Sequence, residues 1–173
     1  QAFPRAVVTD PEGKETEGEV RMTGKGRAEA AFRLSRVRLW NPEEPVLYRL
    51  LLETEQEVIV KKIGLRKIEG RDGVVYFNHQ KIKFKGVNHH DSSPVNGYAL
   101  TREEMLTDLT MIKANNMNAV RTSHYPSQPY LYELCDEIGL YVIDEADIEA
   151  HGTAALYGSR GGYGQDRMAG STW

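Results

Sequence analysis

The spacing of apolar and polar positions changes character near residue 70. Before that point the pattern is that of strands. Ala31, Arg33 and Ser35 interleave with Phe32, Leu34 and Val37 at roughly period 2, which predicts a strand over 27–40. Asn41-Pro42-Glu43-Glu44-Pro45 is a turn, and Val46 to Glu53 a second apolar run rich in Leu and Tyr. A third run begins at Val58-Ile59-Val60 and continues through Ile63 and Leu65. Short strands separated by turns in this way predict a β-sandwich. Only three or four of the roughly seven strands of an immunoglobulin-like sandwich are legible, so residues 1–70 are expected to be the C-terminal part of one.

From residue 71 onward strands alternate with helices. Val74 to Phe77 and Gln80 to Phe84 flank Asn78-His79, a hairpin, and Ile82 to Val87 then runs as a strand into Asn88-His89-His90-Asp91. Thr101 and Glu104 have capping-box spacing, and Met105, Leu106, Leu109 and Ile112 form a helical face behind them, ending near Asn115-Asn116. Asn118 to Arg121 is the next strand. Pro129 opens a second helix with Leu131, Leu134, Cys135 and Ile138 on its apolar stripe, and Gly139 closes it. Leu140 to Ile143 is a third strand running into Asp144-Glu145, and 152–170 reads as an irregular loop. The alternation predicts a parallel sheet. Each strand delivers a polar cluster at its C-terminal end, as the active face of a (β/α)₈ TIM barrel does. The expected fold is therefore a partial immunoglobulin-like β-sandwich (1–70) followed by the first three βα units of a TIM barrel (71–173).

Composition narrows the function classes. In 173 residues, 22 Lys+Arg stand against 25 Asp+Glu for a net charge of −3, which excludes a protein living by non-specific nucleic-acid binding. No apolar run approaches a membrane span, so no membrane partner is expected. The lone Cys135 excludes an internal disulfide framework and a cysteine zinc site. Gln1 is not Met, no leader is visible, and both ends are expected to be cut from something longer. A cytoplasmic location is the corresponding expectation. Residues 158–164, GSRGGYG, lack the lysine and spacing of a phosphate loop.

Three strand ends carry His90, His124 and His151, and at least two are expected to line one cleft. His89 and His90 are adjacent in a strand, so only one faces the barrel axis. His79 lies in the hairpin and carries no functional expectation. Arg121 at a strand end is suited to clamping a carboxylate, of a substrate or of a neighbour. Glu149 and His151 are two apart, on one side of an extended segment, and could share a cation. These residues define a polar cleft without identifying a reaction.

The string NAVRTSHYPSQPYLYELCDEIGLYVIDE, Asn118 to Glu145, resembles the first signature of glycoside hydrolase family two. KGVNHHDSSPVNG resembles that family's first barrel strand, and LWNPEEPVLYRLLLE the last strands of its immunoglobulin-like domain. DEADIEAHG is similar to the bacterial β-galactosidase branch, whereas the β-glucuronidase branch diverges after Asp-Glu. The resemblance implies an internal segment of a retaining exo-enzyme that hydrolyses terminal β-D-galactosides such as lactose. It implies that His90 and His124, with Asn88, meet the galactosyl group, that Arg121 and Glu145 support the site, and that Glu149 and His151 bind Mg²⁺. The family's Asn-Glu acid/base motif does not occur here, so no Glu in this chain is assigned as acid or nucleophile, and the segment alone is expected to be inactive. The resemblance also implies a homo-oligomeric parent protein. The alternatives are another family-two specificity such as β-glucuronidase, a non-catalytic sugar-binding or complementing fragment, and a metal-dependent barrel hydrolase, which lacks its His-x-His mark here.

Overall fold

The computed structural model describes residues 4–24 and 26–148. Its first part contains β1 (Arg5–Thr9), β2 (Glu15–Glu17), β3 (Glu19–Gly24), β4 (Arg27–Ala31), β5 (Tyr48–Glu53) and β6 (Val58–Ile63). Four of these form an antiparallel sheet in the order β2-β1-β5-β6, while β3 and β4 pair as a separate hairpin. β1 is the buried strand: Ala6, Val7 and Val8 lie opposite Leu52, Leu51 and Leu50 of β5. Its short Ala-Val-Val run gives no period to read, and the strands expected from sequence omitted it. β2 and β3 were omitted too: both are largely exposed, β2 is polar at every position, and β3 offers only Val20 and Met22 as apolar residues. The strand expected over 27–40 extends only to Ala31. Beyond it the chain is irregular and carries Trp40 into a buried position, 1% exposed.

β7 (Ile68–Arg71), β8 (Val74–Phe77) and β9 (Gln80–Lys81) make a small antiparallel meander. Its two turns, Asp72-Gly73 and Asn78-His79, have positive φ at both central residues. That is the handedness a two-residue hairpin requires. The strand expected over Gln80 to Phe84 stops at Lys81, and the next begins only at Gly86.

β10 (Gly86–His89), α1 (Arg102–Ala114), β11 (Ala119–Thr122), α2 (Pro129–Ile138) and β12 (Tyr141–Ile143) then alternate, and the three strands form one parallel sheet in chain order. Gly86 permits the close approach of β10 and β11, because a Cβ there would overlap the Ala119 carbonyl. The expected capping box is present: the Glu104 N–H donates to Thr101 Oγ1, and the Glu104 carboxylate accepts from the Thr101 N–H. Met105 and Leu109 of α1 pack with Val120, Leu131, Leu134, Cys135 and Leu140. Leu106, assigned to that face by spacing, is instead 38% exposed. Gly139 ends α2 at φ 85, as its position predicts.

The two parts meet along α2. The Trp40 indole N–H donates to the Asp136 carbonyl at 2.8 Å, and its ring packs against Phe77 and edge-on to Tyr141. Arg66 lies over the same ring and pairs with Asp136, while Lys61 and Lys62 reach Glu133 and Glu137. Lys113 donates to both the Pro42 and Gly139 carbonyls at 2.8 Å, joining the last turn of α1, the turn before β5 and the end of α2. No helix among the described residues is long and apolar enough to cross a membrane.

Candidate functional site at the strand ends

Parallel register decides which side chains share a face. Asn88 of β10 lies opposite Arg121 of β11, and Arg121 opposite Ile143 of β12, so these three project to the inner side of the sheet. His89 lies opposite Thr122 on the other side, facing the helices. His89 is buried, with Nε2 3.1 Å from Asp108 Oδ2 of α1. Its Nδ1 lies 3.6 Å from Asp91 Oδ1, an ion-pair distance too long for a hydrogen bond. Strand alternation thus leaves the exposed His90 to the cleft side.

There His90 meets His124 edge-on, with ring centroids 5.4 Å apart. Arg121 joins the rest. One Nη donates to Asn88 Oδ1 at 3.2 Å, and the other pairs with Glu145 Oε2 at 2.6 Å. His124 Nδ1 lies 3.3 Å from that same Glu145 oxygen and 3.4 Å from Arg121. A guanidinium can only donate and a carboxylate only accept, so Nδ1 serves one at a time: it donates to Glu145 when protonated and accepts from Arg121 when bare. The arginine clamps a neighbouring carboxylate, one of the two roles its position allowed. Asn88, His90, Arg121, His124 and Glu145 are therefore brought together, from three strand ends. A shallow hollow of about 180 Å³ on the inner sheet face is lined in part by Asn88 and Arg121. A comparable one, about 170 Å³, lies near Trp40, Phe84 and Tyr141 at the opposite ends of the strands, away from the polar cluster.

Glu149 and His151 fall outside the described residues. Among the described residues no group of three or more His, Cys, Asp or Glu could hold a metal ion. His79, given no role from sequence, pairs with Glu69 at 3.1 Å.

Of the polar groups behind the cluster, only Asp144 was marked by its place at a strand end; Ser127 and Tyr132 carried no sequence signal. Tyr132 donates to Asp144 Oδ1 at 2.6 Å and accepts from the Ser127 N–H at 2.9 Å. Burial, then the bond to Asp144, pushes the Tyr132 phenol up to about 12. Thr122 also donates to Asp144, and the Glu145 N–H donates to Thr122. Tyr132 sits beside the apolar stripe of α2, where an aromatic ring reads as packing. Asp108 was more accessible to sequence reasoning, as a carboxylate flanking the buried Met105/Leu109 face beside a strand-borne histidine pair.

Two family models match the chain: "Glycosyl hydrolases family 2" over residues 5–66 and "Glycosyl hydrolases family 2, TIM barrel domain" over 68–168. The chain belongs to glycosyl hydrolase family 2, joining part of its β domain to the start of its barrel. Among curated relatives, it is 54% identical over 120 residues to "Beta-galactosidase" of Actinobacillus pleuropneumoniae, covering 69% of this chain and 12% of that protein. It is 45% identical over 152 residues to "Beta-galactosidase" of Streptococcus thermophilus, covering 85% and 15%. Among solved structures, "Faecalibacterium prausnitzii Beta-glucuronidase" superposes with a TM-score of 0.70 at 30% identity, covering 84% of this chain and 24% of that one. The chain thus spans about one eighth to one seventh of the curated relatives' length.

Proposed function

We infer that these residues form part of the galactosyl pocket of a retaining exo-β-galactosidase acting on terminal β-D-galactosides such as lactose. The observation that carries this is the cluster of Asn88, His90, Arg121, His124 and Glu145 at the C-terminal ends of three parallel strands, in a chain 54% identical to a protein named for that activity. His90 and His124 offer ring nitrogens to sugar hydroxyls, and Asn88 an amide. Glu145 is engaged by Arg121 at 2.6 Å and lies 3.3 Å from His124 Nδ1, which suits it to orienting His124 and not to meeting a leaving oxygen. The acid/base and nucleophilic glutamates are placed by this proposal outside the 173 residues, so the chain alone does not turn over. Residues 1–70 and 71–173 act as the end of the sandwich domain and the beginning of the barrel, in a homo-oligomeric cytoplasmic enzyme. Glu149 and His151 are proposed, on the resemblance of DEADIEAHG to the β-galactosidase branch, as part of a Mg²⁺ site completed by residues outside this chain.

A second specificity, for β-glucuronides, is favoured by the fold likeness to structures titled β-glucuronidase, at 25–30% identity. The higher identity to proteins named β-galactosidase, and the commitment of Arg121 to Glu145 instead of a free uronate site, weigh against it.

The test compares nitrophenyl β-galactoside and β-glucuronide as substrates for the full-length protein, with and without His124→Ala. Galactoside hydrolysis is expected, and His124→Ala is expected to lower kcat by roughly 10², because contacts that tighten in the transition state act on rate. Preference for the glucuronide, or an unchanged kcat in folded His124→Ala, refutes the assignment. Glu149→Gln is expected to raise the Mg²⁺ concentration needed for full activity, and an identical requirement removes Glu149 as a ligand.

A further inference from the structure

Behind the sugar-facing cluster a continuous run of hydrogen bonds crosses all three strand ends. The Ser127 hydroxyl donates to the Asp91 carboxylate, at 2.8 and 3.0 Å to its two oxygens. The Ser127 N–H donates to the Tyr132 hydroxyl at 2.9 Å. Tyr132 has one proton, and because its partner on the Ser127 side is itself a donor, that proton goes to Asp144. Thr122 donates to the same Asp144 oxygen at 3.1 Å and receives the Glu145 N–H at 3.0 Å. The Tyr132 and Thr122 hydroxyls therefore each have one possible direction, set by a backbone N–H at one side and the Asp144 carboxylate at the other. The run begins on the β10 end, next to His90, passes through the loop that holds His124, and ends on the backbone of Glu145.

We propose that Tyr132, through Ser127 and Asp144, is a positioning residue that sets His90, His124 and Glu145 in register for the transition state. Tyr132 comes from α2 and touches none of those three side chains. It is the point at which the second strand-end loop is tied to the third strand end, and removing its oxygen frees the Ser127 N–H and one donor to Asp144 together. Mutually polarised bonds of this kind are coupled, so losing the middle member weakens both sides. Small displacements of positioned groups cost rate out of proportion to their size.

The role rests on the galactoside-hydrolase proposal only for its substrate, so the assay uses the full-length enzyme with whichever nitrophenyl glycoside it cleaves best. Failure of the galactoside then refutes the specificity and leaves the Tyr132 comparison intact. Tyr132→Phe is expected to lower kcat about tenfold with KM changed less than about threefold. In Tyr132→Phe/His124→Ala the two losses are expected to be less than multiplicative, because Tyr132 acts on rate through the placement of the His124 loop. A merely structural tyrosine would lower the unfolding temperature and leave the two effects multiplicative. Should Tyr132→Phe fail to fold, Asp144→Asn, which replaces the charged acceptor of the Tyr132 proton, is expected to show a loss that is sub-multiplicative with His124→Ala. An unchanged kcat, or strictly multiplicative losses in a folded variant, overturns the proposal.

Discussion

Replacing Trp40 by phenylalanine tests how the two parts of the chain are joined. Trp40 is 1% exposed, its N–H donates to the Asp136 carbonyl, and its ring lies between Phe77, Tyr141 and Arg66. Phenylalanine keeps an aromatic ring but loses the hydrogen bond, about 1 kcal/mol, and leaves the carbonyl short of a partner. The smaller ring leaves space that the close Gly64 backbone does not fill, costing roughly 1 kcal/mol more. The exposed pairs of Lys61 and Lys62 with α2 contribute little to offset this, since surface ion pairs are typically worth under about 1 kcal/mol. The expected loss is therefore about 2 kcal/mol for Trp40→Phe and about 3–5 kcal/mol for Trp40→Ala. Against a total stability of roughly 5–15 kcal/mol, the alanine variant is expected to split unfolding into two transitions, one for each part. Urea titration followed by far-UV circular dichroism measures both. A Trp40→Phe variant within about 0.5 kcal/mol of wild type, with Trp40→Ala still unfolding in one step, refutes the view that this indole fastens the parts together.

Three further outcomes are expected. Gly86→Ala forces a Cβ into the Ala119 carbonyl and should cost about 3 kcal/mol by chemical denaturation, while a neutral result would show that β10 and β11 can separate freely. Burial pushes the Cys135 thiol up to about 12, so the folded state keeps a proton that the unfolded chain loses above its ordinary value of 9.0. Stability from this source is complete below pH 9 and is lost as pH rises toward 12; a thiol reagent at pH 8 should label Cys135 only after urea is added, and rapid labelling of native protein contradicts this. The Ser93 hydroxyl, followed by the Thr101 N–H, holds the Glu104 carboxyl below its ordinary value of 4.5. The associated stability is present above pH 4.5 and is lost as pH falls through the folded value, so Glu104→Gln should flatten the acid limb of melting temperature against pH.

The barrel segment was the more legible part because its signals are local. Thr101 and Glu104 announce a helix start by spacing, Gly139 announces a stop, and both serve as expected. The adjacency of His89 and His90 sufficed to say that one faces inward, and the structure turns His89 to Asp108. The β domain was harder. Its strands are stabilised by partners distant in sequence, as when Arg5 to Thr9 pairs with Arg49 to Glu53, and short or two-sided polar segments carry no period. Phe32 to Trp40 alternates like a strand, yet Trp40 is drawn away to the Asp136 carbonyl 96 positions later. Ser127 and Tyr132 stayed hidden for the same reason, since hydroxyl roles depend on which loops the fold brings together.

Lys113 joins segments that are made at different times. Its partner Pro42 lies 71 positions earlier, and Gly139 lies 26 positions later. During synthesis at roughly 5–20 residues per second, the Pro42 turn leaves the ribosome about 4–14 s before Lys113 and can be waiting in place for it. The Gly139 carbonyl arrives last, about 1–5 s after Lys113, and only then are all three partners present. In the folded chain a single ammonium thus pins the turn before β5, the last turn of α1 and the end of α2 at one point, so a shift of any of the three pulls on the other two.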